Sequence, residues 1–250
     1  MAARLRVVFA GAAGRTGRAT GAALDRLEGI EVLGAVGQRS AGRDLGELWH
    51  GAADGRRVYA QLSEAIDACR PEVLCDFTQA EVAESHLRLA LLAGVRPVIG
   101  TTGLGEEALG VAQDLCRARG LSAAVIANFS IMSWLMERIA LLALPYAEGA
   151  ELVEMHAATK RDAPSGTAIR LRRLMEAHGE RAVPVHSVRL PGLVAHQEVL
   201  LGRPGEVLTL RHDALDRSCY AAGLRLVALG MPGRTGLVRD LSAFLPSLGV

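Results

Sequence analysis

Short apolar runs alternate with amphipathic stretches through the first half of the chain. Residues 6–10 (RVVFA), 30–36 (IEVLGAV), 73–77 (VLCDF), 97–99 and 123–127 (AAVIA) are apolar almost without interruption, the pattern of strands covered on both faces of a parallel sheet. Between them, residues 16–27, 81–93 and 106–119 place apolar side chains at helical spacing. This βαβ rhythm predicts an α/β domain with a doubly wound parallel sheet. After Asn128 the rhythm changes. A helix is expected over 131–146, a strand over 151–157 and a helix over 168–177, then strands over 186–190, 196–201 and 207–211 with little helix between them. The last two are joined by GRPGE, the composition of a hairpin connection. Consecutive strands of this kind predict a mixed or antiparallel sheet, hence a second, α+β domain inserted at 130–217. The tail from Ser218 reads as helical and is expected to return to the first domain, giving 1–129 with 218–250.

The loops that follow the apolar runs carry the chemistry. Gly11, Ala12, Ala13, Gly14, Arg15, Thr16 and Gly17 lie between a strand and a helix. Glycines there allow a tight turn and close backbone approach, while the helix N-terminus presents free N–H groups to a pyrophosphate. The spacing is GxxGxxG, so its meaning rests on this strand-to-helix context. The second strand ends in Gly37-Gln38-Arg39 without the carboxylate that usually grips ribose hydroxyls in NAD sites. With Arg15 and Arg39 available for a 2′-phosphate, NADPH is favoured over NADH; the alternative is that Arg39 is a solvated loop residue. Gly100-Thr101-Thr102-Gly103 and Ala127-Asn128-Phe129-Ser130 follow further strands, where open α/β sheets bind ligands, although each also has the composition of a helix cap and its loop.

The segment from Glu154 to Ala168 is the most informative. Ser165 is placed to cap a helix, so the amides of Gly166, Thr167 and Ala168 would meet a substrate carboxylate at the positive end of the helix dipole. Upstream stand Lys160 and, four residues before it, His156, an ammonium and an imidazole able to deliver protons to an atom receiving hydride; the alternative for each alone is a packed strand histidine and a surface lysine, against which their clustering counts.

Composition sharpens this picture. Lys and Arg together number 28 against 27 Asp and Glu, a net charge of +1, and Lys160 is the only lysine in 250 residues. An ammonium tunes its pKa where a guanidinium cannot, which singles out Lys160 as a candidate catalytic residue. Neutral charge and 4% aromatic content argue against a nucleic acid partner. Cys69, Cys75, Cys116 and Cys219 lack metal-ligand spacing and read as structural thiols of a cytoplasmic protein. No metal site is expected. No run of about 18 uncharged apolar residues suggests a membrane span.

These motifs, in this order, resemble the 4-hydroxy-tetrahydrodipicolinate reductase (dihydrodipicolinate reductase) family of lysine and diaminopimelate biosynthesis. The resemblance covers GAAGRTGR, DFTQ at 76–79, GTTG, ANFSI, K-x-DAPSGTA, HSVRLPGLVAHQEV at 186–199 and RHDALDR at 211–217, nearly the whole chain. It implies a Rossmann-like fold completed by the C-terminal segment, with an inserted mixed-sheet domain that binds substrate and builds a homotetramer. Gly11 to Thr16, Gln38, Arg39, Phe77, Thr78, Gly100, Thr101, Thr102, Ile126, Ala127, Asn128 and Phe129 would hold NADPH, with NADH the alternative. His156 would be the proton donor, Lys160 the second catalytic residue, Gly166 and Thr167 the clamp on a small dicarboxylate, and Arg217 a further substrate-side or hinge contact. The family usually has a second adjacent histidine, where this chain has Ala157 followed by Ala158, and Met132 and Trp134 stand where a glycine and an asparagine are expected. Two other readings follow from these departures: an imine reductase of the same fold with a shifted substrate, or a nucleotide-binding homologue without turnover.

Overall fold

The computed structural model describes residues 3–179 and 181–246. The chain divides into two compact units, one of residues 3–129 with 220–246 and one of residues 130–219.

In the first unit the strands are β1 (Leu5–Ala10), β2 (Ile30–Val36), β3 (Val58–Tyr59), β4 (Val73–Asp76), β5 (Arg96–Ile99) and β6 (Ser122–Val125). A seventh, β11 (Gly236–Val238), returns from the tail; the sheet order is β11-β6-β5-β4-β1-β2-β3, parallel throughout. Helices α1 (Arg15–Leu24), α2 (Leu45–His50), α3 (Leu62–Cys69), α4 (Ala80–Leu92) and α5 (Glu106–Arg119) make the connections. Val7, Val8, Phe9 and Ala10 are each fully buried, as a central strand covered on both faces requires. The strand order reverses beside β1, so a crevice opens at the carboxyl ends of β1 and β4.

Several boundaries differ from the sequence expectation for local reasons. α1 stops at Leu24, where the Asp25 amide turns back to the Gly21 and Ala23 carbonyls. The stretch between β2 and β4 holds α2, β3 and α3, all too short for a periodicity to stand out. α2 is instead defined by its caps: Asp44 accepts from the Glu47 amide at 3.0 Å, and Gly51 closes it at φ +79°. After α8 (Ala221–Gly230) the tail gives a strand beside β6, not continued helix.

The second unit comprises α6 (Ile131–Ala143), β7 (Gly149–Ala157), α7 (Gly166–Gly179), β8 (Val185–Leu190), β9 (Ala195–Arg203) and β10 (Glu206–Ala214). α6 gives way at Leu144 to a 3-10 turn carrying Pro145. The sheet order is β10-β9-β7-β8: β7 runs parallel to β8 and antiparallel to β9, and β9 and β10 form the expected hairpin. Leu152 and Val199 on one sheet face pack with Met136, Ala140 and Leu144 and with Leu171 and Met175 of α7. Alternation along β7 therefore places Glu154 and His156 on this helix-covered face too.

Candidate active site

In the first unit the glycine-rich loop is shaped by close backbone contacts. Gly11 has φ +82°, and a Cβ there would stand 2.6 Å from the Phe77 carbonyl oxygen; one on Gly17 would stand 2.2 Å from the Gly11 oxygen. The loop between β1 and α1 is thus pressed against the loop after β4, with no room for a side chain. α1 begins without a side-chain cap and without an acidic residue in its first turn, leaving its first amides and positive dipole end for an anion. These features fit a dinucleotide. The Trp49 indole donates to the Ala12 carbonyl at 3.1 Å, and its ring packs where a side chain on Gly21 would be, so α2 supports the loop from below.

A cavity of about 570 Å³ is lined by Thr16, Phe77, Thr78, Gln79, Ala80, Glu81, Gly100, Thr101 and Thr102. Six of the expected cofactor residues meet there. Asp76, fully buried at the end of β4, accepts from the Thr78 amide (2.7 Å) and hydroxyl (2.6 Å) and bonds His86 Nδ1 at 2.6 Å. The Thr101 hydroxyl donates to the Thr78 carbonyl at 3.1 Å, tying two of the loops together. Phe77 stacks on Phe9 and approaches Phe129, at 5.5 and 5.9 Å between ring centres. The Ile126 amide donates to the Ile99 carbonyl at 3.0 Å, which brings the 126–129 loop beside Gly100. Gln38 and Arg39 form an exposed 3-10 turn after β2, and Arg15 is exposed at the start of α1.

In the second unit Ser165 caps α7, which starts at Gly166, two residues before the expected helix. The serine hydroxyl accepts from the Ala168 amide at 3.2 Å, and its carbonyl accepts from the Ile169 amide at 2.9 Å. Gly166 and Thr167 are therefore first-turn residues whose amides have no helical acceptor, whereas the Ala168 amide, expected to join them, is taken up by the Ser165 cap. A Cβ on Gly166 would meet nothing within 4 Å. His156 is half-buried, and its Nδ1 lies 2.5 Å from Glu154 Oε2. Burial lowers the proton affinity of His156, Glu154 opposes this, and the Lys160 and Arg189 charges reinforce it; the net pKa is below the ordinary 6.5. Lys160 donates to both Asp162 oxygens at 2.8 and 2.7 Å. That bond and the ammonium charge hold the Asp162 carboxyl below its usual range. Arg217 opens the 3-10 turn Arg217–Tyr220 beside Asp216, and the exposed Met132 and buried Trp134 occupy the first turn of α6.

Sequence reading passed over Glu154, Asp162 and Arg189 as site residues. The signal for Glu154 was present, since residues two apart on a strand share a face. Arg189 has no such signal: it faces His156 only through the parallel register of β7 and β8. All four cysteines are free thiols. Burial pushes the Cys116 thiol up to about 11, as for an inert structural group. Among the described residues no His, Cys, Asp and Glu cluster has the makings of a metal site, and no helix is long and apolar enough to cross a membrane.

Residues 5–129 match the family model for the N-terminus of dihydrodipicolinate reductase, and residues 129–245 match that for its C-terminus. The 4-hydroxy-tetrahydrodipicolinate reductase of Moorella thermoacetica is 41% identical over 265 residues, covering 98% of this chain and 99% of the relative. That of Symbiobacterium thermophilum is 43% identical over 226 residues, covering 88% and 89%. Among solved structures, dipicolinate-bound dihydrodipicolinate reductase from Paenisporosarcina sp. TG-14 superposes with a TM-score of 0.83 at 31% identity, over 97% of this chain and 100% of that one. An amine dehydrogenase from Mycobacterium smegmatis, 14% identical with a TM-score of 0.70 over 98% and 97% of the two chains, shares the fold alone. With both halves matched along almost the whole chain, the protein belongs to the dihydrodipicolinate reductase family.

Proposed function

We propose that this protein is an NAD(P)H-dependent oxidoreductase that reduces 4-hydroxy-tetrahydrodipicolinate to tetrahydrodipicolinate in lysine and diaminopimelate biosynthesis. The observation that carries the reading is the folding of K-x-DAPSGTA. Ser165 caps α7 while its own amide donates to Glu154 at 3.3 Å, the carboxylate that holds His156. An anion-binding helix end and a proton-bearing imidazole are thereby fixed to one frame. A binding protein without turnover would have no chemical use for that imidazole.

Bound NAD(P)H supplies the hydride. The 3–129 loops would hold it, its pyrophosphate on the Gly11–Thr16 backbone. Gly166 and Thr167 would receive one substrate carboxylate on their amides. His156, its Nδ1 proton committed to Glu154, would deliver a proton from Nε2 to the substrate atom that gains negative charge, and its lowered pKa makes the imidazolium a stronger acid for that step. Lys160 would stabilise the same charge. Overall one hydride and one proton are taken up and the 4-hydroxyl departs as water, so the step balances. Arg217 would face the substrate as a further cationic contact.

NADPH is the favoured cofactor in this reading, because the turn after β2 offers exposed Arg39 and no carboxylate. A homotetramer would form on the sheet face not covered by α6 and α7, where Leu190 and Val207 are 54% and 68% exposed. Light scattering on the purified protein tests the assembly. The reaction itself is tested by generating the unstable substrate with a dihydrodipicolinate synthase and following NADPH absorbance. No oxidation by the wild type rejects the reading.

A further inference from the structure

Glu154 is fully buried. A carboxylate in that position must be compensated by hydrogen bonds and opposite charge, and the compensating groups come from three separate segments. Arg189 on β8 donates Nη1 to Oε2 at 2.9 Å and Nη2 to Oε1 at 2.7 Å, the bidentate geometry in which an Arg–carboxylate pair is strongest. His156 Nδ1 lies 2.5 Å from Oε2. The Ser165 amide, one residue before α7, donates to Oε1 at 3.3 Å. Arg189 reaches further still, its Nη2 donating to the Asp162 main-chain carbonyl at 2.7 Å, and Asp162 is the residue that grips Lys160.

A buried ion pair is poor value as a source of stability alone, since well-packed apolar residues often do as well. This pair, however, touches the segments that carry His156, Lys160 and the start of α7. We propose that Glu154 and Arg189 are positioning residues for the reduction: the pair fixes the His156 ring with Nδ1 protonated and Nε2 presented to substrate, and it holds the Lys160–Asp162 turn and the start of α7 in the same frame. The inference rests on the reductase reading. The charged groups acting on His156 are Glu154 from its own strand, Arg189 from β8 and Lys160 from the turn after β7.

Glu154→Gln keeps the shape and removes the charge. Its kcat is expected to fall about 100-fold, within the range of one general acid's contribution, with the NADPH KM changed less than about 2-fold. The alkaline limb of the pH profile moves to lower pH, because both Glu154 effects that raise the proton affinity of His156 are lost. Glu154→Asp, which keeps the charge, recovers an intermediate rate. A merely structural role would lower the folded fraction without moving the pH profile of the molecules that remain folded. Nitrogen chemical shifts of the His156 ring, read in the ligand-free protein, give the tautomer independently of turnover. The wild type is expected to carry its neutral-form proton on Nδ1 and Glu154→Gln to lose that preference. A wild-type rate and pH profile in Glu154→Gln, or a wild-type ring protonated on Nε2 alone, overturns the inference. Failure of the wild type to turn over substrate overturns the reductase reading instead, and the ring shifts then decide the positioning claim; they also decide it if neither Glu154 variant folds.

Discussion

Each unit of this protein buries one carboxylate next to its candidate site, and the two are used differently. Asp76, at the end of β4, spends its oxygens on the Thr78 amide and hydroxyl and on His86 Nδ1; all belong to the loop after β4 or the helix that follows. Glu154, near the end of β7, collects Arg189, His156 and Ser165 from three segments. The first site is consequently a backbone cradle, shaped by missing side chains at Gly11 and Gly17, whereas the second is a charge network whose members hold one another in place. Substitutions in the cradle should act through steric exclusion, and those in the network through protonation and charge.

The largest expected effect separates chemistry from cofactor binding. His156→Ala should lower kcat about 1,000-fold while NADPH affinity, measured by fluorescence titration, stays within about 2-fold; a parallel loss of both would contradict the division between the sites. Gly11→Ala does the opposite. A Cβ at φ +82° and 2.6 Å from a backbone oxygen costs about 3 kcal/mol, so NADPH affinity should fall about 100-fold while the tautomer of His156 stays as in the wild type. Gly166→Ala is smaller, because the added methyl meets no protein atom within 4 Å. Melting temperature should hold while substrate KM rises about 10-fold from lost carboxylate approach, and an unchanged KM would make this helix end a cap only.

The smallest effects concern surface charge and acid. Arg39→Ala should reduce the ratio of NADPH to NADH affinity about 3-fold, as expected for an exposed charge contact; an unchanged ratio removes Arg39 from phosphate recognition. Burial raises the Glu154 carboxyl, but the Arg189, Ser187 and His156 hydrogen bonds outweigh it and leave its pKa below the usual 4.5. A lowered carboxyl pKa gives stability that is fully present above 4.5 and is lost as pH falls through the folded-state value. Urea unfolding should therefore show the wild type's advantage over Glu154→Gln shrinking below pH 4.5, and a gap that stays constant down to pH 2 would deny the charge its part.

The cradle was the more legible of the two in the sequence. Its glycines lie within seven residues of one another, and the apolar strands around them are contiguous runs. The fold's larger rhythm was legible for the same reason, while α2, β3 and α3 escaped because six, two and eight residues are too few to display a period. Ser165 was readable as a cap because capping is local. The role of Arg189 was not, because 35 residues separate it from Glu154 and only the register of β7 with β8 brings them together. Trp49 was hidden likewise, 37 residues from the Ala12 carbonyl that it supports.

The claim on which the rest depends is that the protein reduces 4-hydroxy-tetrahydrodipicolinate with hydride from NAD(P)H, His156 supplying the proton and Lys160 stabilising the developing charge. The direct measurement couples the purified protein to a dihydrodipicolinate synthase and follows absorbance at the dihydronicotinamide band for the wild type, His156→Ala and Lys160→Ala. The account predicts synthase-dependent oxidation by the wild type and a rate at least about 100-fold lower in each variant, with cofactor affinity retained. Wild-type protein that binds NADPH and leaves it unoxidised, or variants as fast as the wild type, would contradict it.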